Sequence, residues 1–330
     1  PMRSKITIGV LVPSDGKRPR TPPPKRPIGR AALHLAEAGI DVIFGDTIQG
    51  GKMTGFRATR AGWVPVSSAS IDAAHDRFPS QLRADRFAEI RAGLGSLRMG
   101  NSLSFTMLCR DKLLSQERLA ELGVRMPEVE GDPARFSDTL EQWGSAFLKP
   151  RFGALGLGVT RVSPGSDLPE YLPGVVPDRP DPSILQRAIA PPAGWASRTV
   201  RVLVQKTPAG EWVQGVPVVR QSRVDTVANA ARGAEVAAGP RVLSENTLTR
   251  ITAVTTTITA AMDRLDEAEW MLEAGIDLVL DTQEEPWLIE VNSRPRGRME
   301  MLAKTDPLRY LDTHIAAAAR PIQRIAALLR

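Results

Sequence analysis

Long apolar runs are missing from this 330-residue chain. No stretch of about 18 apolar residues occurs, so no transmembrane helix is expected and membrane partners are set aside. The start of the chain lacks a charged leader followed by an apolar core, so no signal peptide is expected. Cysteine is nearly absent. Cys109 stands alone, and one thiol can form neither an internal disulfide nor a cysteine-built zinc site. A small buried apolar residue is its plain reading, and a reducing, cytoplasmic compartment fits. The three histidines, His34, His75 and His314, are scattered, with no metal or triad spacing. Aromatic residues make up only 5%, and no basic block is interleaved with them, which argues against a nucleic-acid partner. Two phosphate-binding signatures are missing as well. Residues 45–53 have the wrong spacing for a Walker A loop, with Met where Ser or Thr is needed, and no G-x-G-x-x-G occurs.

What is present is ordinary for a globular protein: 42% hydrophobic and 24% charged residues, enough for two or three packed units. The formal charge of +6 suits an acidic partner without choosing one. Residues 5–12 (KITIGVLV) predict a buried first strand. A basic, proline-rich loop follows over 13–27, then helical spacing over 30–38 and a second strand at 41–44. Strand, helix, strand opens an α/β unit. A hairpin is expected over 52–65 with Gly62 near its turn. Residues 111–122 predict a helix stopped by Gly123, with Pro127 beyond. Strands are expected at 146–148 and 159–162 around a glycine-rich turn, then at 183–186, 199–205, 212–219, 276–281 and 286–291. The Pro- and Asp-rich stretch 163–182 reads as a connection between subdomains. A helix is expected over 246–265, and a helical tail over 307–329 broken at Pro321.

The strongest chemical signal lies in GIDLVLDTQEEPWLIEVN. Asp277 and Glu290 fall on neighbouring antiparallel strands. Glu290 and Asn292 share a strand face, because side chains alternate with a period of two. Three oxygen ligands would converge there, a suitable cradle for Mg²⁺; a solvent-facing Glu and Asn on an edge strand is the plainer alternative. The second signal is Lys149 at the end of a strand, then Gly153, Gly156 and Gly158. Glycines let backbone N–H groups approach phosphates, and the lysine adds charge. A plain glycine-rich hairpin reads similarly. Lys112 opens a helix, and 183–189 (SILQRAI) could flank an adenine or be ordinary core strand. Arg201 sits among valines, where a buried cation needs an anion, whether phosphate or a structural carboxylate.

Taken together and in order, these pieces resemble the ATP-grasp superfamily, most closely its YheC/YheD-type branch. RVLVQKTPAGEWVQGVPVVR (201–220), ANAARGAEV (228–236) and GIDLVLDTQEEPWLIEVNSRPRG (275–297) carry the likeness. The resemblance implies an α/β (α+β) ATP-grasp fold. A pre-ATP-grasp domain would span 1–108, a small subdomain with a glycine-rich lid 109–183, and a core subdomain with the metal site and C-terminal helix 184–330. It implies ATP and one or two Mg²⁺ ions, with Mn²⁺ as a substitute. Lys112 and Lys149 would reach the α- and β-phosphates under the lid of Gly153, Gly156 and Gly158. Gln186, Arg187 and Ile189 would lie at the adenine hinge. Arg201, Arg220 and Asn229 would serve the transferring phosphoryl group. Asp277, Glu290 and Asn292 would bind metal, and Arg294 and Arg296 would face the substrate carboxylate. The implied activity is ADP-forming carboxylate–amine ligation through an acyl phosphate. A kinase-like phosphotransferase and a non-catalytic coat-type protein are the alternatives. A small-molecule or peptide acid and an amine are the implied partners, the basic Arg294-Pro295-Arg296 hints at an acidic one, and a homodimer is the family habit.

Overall fold

A computed structural model describes residues 5–14, 17, 19–79, 83–153, 156–174, 179–227, 233–295 and 298–330. Among them, three sheets divide the chain. The first has the order β4-β3-β2-β1-β5-β6, built from β1 (Ile6–Leu11), β2 (Ile40–Gln49), β3 (Lys52–Thr59), β4 (Gly62–Ser70), β5 (Ala73–Asp76) and β6 (Met99–Gly100). The strands β2, β1, β5 and β6 are parallel, and β3 and β4 add an antiparallel meander. β1 is apolar along its length because both faces are covered, as parallel strands require. Ile8 and Val10 pack with helix α1 (Pro27–Glu37), while Leu11 joins Phe87, Ile90 and Leu94 of α2 (Ala84–Leu94) on the other face.

Helix α3 (Leu103–Arg110) runs into α4 (Lys112–Glu121). The second sheet holds β7 (Val129–Glu130), β8 (Ala146–Pro150), β9 (Thr160–Val162), β10 (Tyr171–Pro173) and β11 (Pro180–Arg187). The stretch expected to be a bare connection therefore contains β10 and the start of β11, which pair with each other. Prolines at 173, 180 and 182 are tolerated because this pair lies at the sheet edge. Phe136 and Leu140 of α5 (Phe136–Trp143) cover the face carrying Leu148 and Leu185.

The third sheet has the order β15-β14-β12-β16-β17, with β13 on β12: β12 (Ser197–Lys206), β13 (Trp212–Gln214), β14 (Val218–Ser222), β15 (Glu235–Ala238), β16 (Glu273–Leu280) and β17 (Pro286–Asn292). The single strand expected over 212–219 is thus two, split near Gly215 and Pro217. One turn of helix, α6 (Gly239–Val242), leads into α7 (Glu245–Met262), whose Ser244 N-cap accepts from the Thr247 N–H. Ile251, Ile258 and Met262 of α7 bury one face of the sheet with Val200, Val202, Ile276 and Leu278. Alternation sends Arg201 and Asp277 to the opposite face. The chain closes with α8 (Arg298–Thr305) and α9 (Pro307–Leu328), whose Ile315, Ile322 and Ile325 pack back on the first sheet.

Pro321 does not break α9, contrary to the sequence expectation. A proline leaves the carbonyl four residues earlier without its helical donor. Here that carbonyl, on Ala317, accepts from the Gln205 side-chain amide at 2.7 Å. The same amide nitrogen donates to Glu273, and Gln205 Oε1 accepts from Arg320. A strand of the third sheet thus replaces the missing bond. Gln205→Ala should cost about 3 kcal/mol, since it strands a buried carbonyl and takes one hydrogen bond from a buried carboxylate; chemical denaturation would read this, and a loss within 0.5 kcal/mol (roughly the surface-substitution range) would contradict it.

Candidate functional site: a cationic cleft facing two paired carboxylates

The site brings Lys149 of the second sheet and Lys112 of α4 within electrostatic reach of Glu290 on the third sheet. On the third sheet, Arg201 stands directly opposite Asp277, and Asp277 opposite Glu290. Pairing slips after Asp277, so Leu278 faces Leu288 and Ile289 is extra. This bulge explains why Leu288 and Val291 both enter the α7 core while Glu290 is turned to Asp277. Strict alternation would have put Leu288 and Glu290 on one face. Glu290 and Asn292 do share a face, as expected, and Asn292 Oδ1 accepts from the Arg294 N–H at 2.9 Å.

Asp277 is 5% exposed. Burial pushes its carboxyl up, but Arg201 and Arg220 outweigh this and hold it below the usual carboxylate range. Arg201 grips it with Nε at 2.8 Å and with Nη2, and Arg220 Nη2 reaches it at 3.0 Å. Burial opposes the Arg201 charge, and the field of Asp277 restores it and raises its pKa. The two arginines expected at the transferring phosphoryl group are thus anchored on a metal-ligand candidate. Arg220 Nε remains buried without a partner among the described residues, a donor suited to an oxyanion. No cluster of three His, Cys, Asp or Glu side chains forms among the described residues. The oxygen set is two carboxylates and an amide, which fits a hard divalent cation sharing its shell with phosphates.

The second sheet supplies the opposing charge. Lys149, 4% exposed, donates to Gln186 Oε1 at 2.8 Å. Burial pushes its pKa down to about 8; the Glu290 carboxylate offsets part of this and Lys112 adds to it. Lys112 is likewise lowered by burial and supported by Glu290. The lysines of α4 and β8 therefore both feel the Glu290 carboxylate of the third sheet. Lys112 Nζ donates to the Gly153 carbonyl, and its backbone N–H to Arg151 O at 3.1 Å. Gly156 and Gly158 both have φ of +69°, and a Cβ on Gly158 would meet Pro150 Cγ at 2.9 Å. Glycine is needed at that turn.

Gln186 points into this cluster rather than out, its Nε2 donating to Gln116 Oε1 at 2.7 Å. Arg187 is exposed and paired with Glu128, and Ile189 is half-buried just past β11. Arg294 donates to Asp76 at the end of β5, with Nε at 2.8 Å. Its charge is committed to that buried carboxylate. Asn229 and Arg296 lie outside the described residues.

Sequence reasoning missed the supports of this cluster. Asp111 caps α4 through the Leu114 N–H and takes two hydrogen bonds from Arg151, fixing the helix turn that carries Lys112. Asn101, 1% exposed, accepts from the Leu272 and Glu273 N–H groups and donates to the carbonyls of Glu273 and Ser293. It ties the entry of β16 to the turn after Asn292. The Asp-Lys start of a helix could have revealed the first; nothing local marks the second. Cys109 is half-buried against the α7 core rather than fully buried, and burial pushes its thiol up, away from a reactive thiolate.

Residues 181–314 match the family model described as YheC/D-like ATP-grasp. No curated protein matches the chain by sequence. D-cycloserine synthetase DcsG aligns over 98% of this chain and 100% of its own, with 15% identity and a TM-score of 0.60. Carboxyaminoimidazole ribonucleotide synthase from Aspergillus clavatus, solved with ATP, covers 96% of this chain and 77% of its own, at 16% identity and 0.58. The VanG D-Ala:D-Ser ligase from Enterococcus faecalis covers 99% and 100%, at 13% identity and 0.57. At these identities the likeness is one of fold, and it runs the length of the chain. Family match and shared fold agree: residues 181–314 match a YheC/D-like ATP-grasp domain, and the chain as a whole has the fold of these structures.

Proposed function

We propose that the protein is an ATP-dependent, ADP-forming carboxylate–amine ligase working through an acyl phosphate. The observation that carries this reading is the meeting of Lys112 of α4 and Lys149 of the second sheet with Glu290 of the third, which is paired with Asp277. Structural relatives that include a D-Ala:D-Ser ligase and synthases solved with ATP or ADP support it.

Lys149 and Lys112 bind phosphate oxygens and spread the charge of the polyphosphate. Gln186 orients Lys149; the segment after it, through Ile189, lies beside the base. Mg²⁺ held by Asp277, Glu290 and Asn292 would neutralise phosphate charge as the terminal group transfers. An oxygen of the acid attacks the γ-phosphorus, and the bond from that phosphorus to the β-phosphate oxygen breaks, releasing ADP. Arg220 and Arg201 stabilise the charge that develops on the phosphoryl oxygens. An amine then attacks the acyl carbon, phosphate leaves, and the nitrogen gives up a proton to form the amide. The glycine-rich turn excludes water from the reactive acyl phosphate. No nucleophilic side chain is required.

Product analysis tests this reading. With Mg·ATP, an acid and an amine, the expected products are ADP, phosphate and an amide in equal amounts. A phosphate ester in place of the amide would convert the reading to a kinase.

A further inference from the structure

Beyond the Arg201–Asp277 pair, the same sheet face runs into a partly enclosed cavity of about 70 Å³. Three register pairs line up along β12 and β16: Arg201 with Asp277, Leu203 with Gly275, and Gln205 with Glu273. The middle pair has no side chain on one strand, and Pro295 packs into the space this leaves. A Cβ on Gly275 would stand 3.2 Å from the Cβ of Pro295, itself a lining residue. The walls and roof are apolar: Leu203, Val216, Val218, Met299, Ala317 and Ala318. Arg77, Glu273 and His314 complete the polar lining.

Arg201 belongs both to this cavity and to the carboxylate cluster. Its Nε and Nη2 hold Asp277, and its Nη1 has no partner among the described residues. One edge of the guanidinium is structural, and the other is available for a second carboxylate.

We propose that this cavity takes the body of the acid, and that the acid is a short aliphatic carboxylate of about five or six non-hydrogen atoms, anchored at Arg201. The size follows because a water-sized site needs roughly 10–15 Å³ of such space. The inference rests on the ligase reading of the neighbouring cleft and adds the substrate class. An aromatic body does not fit. A second carboxylate would be desolvated beside the like charge of Glu273, toward which Arg77 of the lining is already turned. The basic segment after Asn292 does not change this, since Arg294 is bonded to Asp76.

Calorimetry of the full chain with Mg²⁺ and a non-hydrolysable ATP analogue would test the inference, using propionate, alanine, glutamate and phenylalanine as probes. Propionate or alanine should bind, with glutamate and phenylalanine weaker by about tenfold or more. Val218→Phe, which fills the cavity, should abolish acid binding while nucleotide affinity stays within about twofold. Tighter binding of glutamate or phenylalanine would overturn the inference. So would unchanged acid binding in the filled variant, or nucleotide binding with no short acid bound. If Val218→Phe also loses nucleotide, the wild-type probe series alone decides. Absence of nucleotide binding in the wild type would instead sink the ligase reading itself.

Discussion

Glu290→Gln is expected to lower ADP formation by at least ~10³-fold while leaving the fold intact. The reason lies in how differently the two carboxylates are dressed. Asp277 already accepts three hydrogen bonds from Arg201 and Arg220, and a carboxylate offers about four lone-pair sites. Little of it remains for a cation. Glu290 is half-buried and turned to the cleft by the bulge at Ile289, so it is the main anionic handle for a metal. Its charge also supports both lysines. The substitution therefore weakens the cation and the phosphate contacts together. Unfolding free energy should change little, because the glutamine is isosteric. Steady-state ADP release at saturating ATP is the check; a loss below about tenfold would remove Glu290 from the reacting centre.

Nucleotide binding should weaken as pH rises above 8. Lys149 in the free protein has a pKa near 8, so it loses its charge there, and binding a polyphosphate must restore it. The apparent dissociation constant should rise by about tenfold per pH unit above that value. The effect on stability has the opposite direction. Between pH 8 and the unfolded lysine value of 10.5 the unfolded chain holds the extra proton. The ligand-free protein should therefore gain stability over that window, by up to about 3 kcal/mol from this group. Lys149→Met should flatten both profiles. A binding constant unchanged from pH 7.5 to 9.5 in the wild type would show that Lys149 is not a phosphate contact.

Much of this architecture is legible in local pattern. The apolar run at β1, the Gly123 stop of α4, the glycine turn after Lys149 and the Asp277–Glu290 spacing all depend on contacts close in sequence or on strand alternation. What escaped depends on distant partners. Pro321 reads as a helix breaker until Gln205, 116 residues away along the chain, supplies the missing donor to Ala317. The bulge at Ile289 breaks the period on which a strand is recognised. Arg294 reads as a free cation because its partner, Asp76, belongs to another sheet. Arg201 was expected on an anion of either kind; the structure gives it a carboxylate on one edge and a cavity on the other.

Equilibrium binding of ATP to the wild-type chain, with Mg²⁺ and then with excess EDTA, tests the central claim most directly. The account predicts Mg²⁺-dependent binding that saturates below about 1 mM and weakens sharply in Glu290→Gln and Lys149→Met. No Mg·ATP binding in the wild type would contradict it.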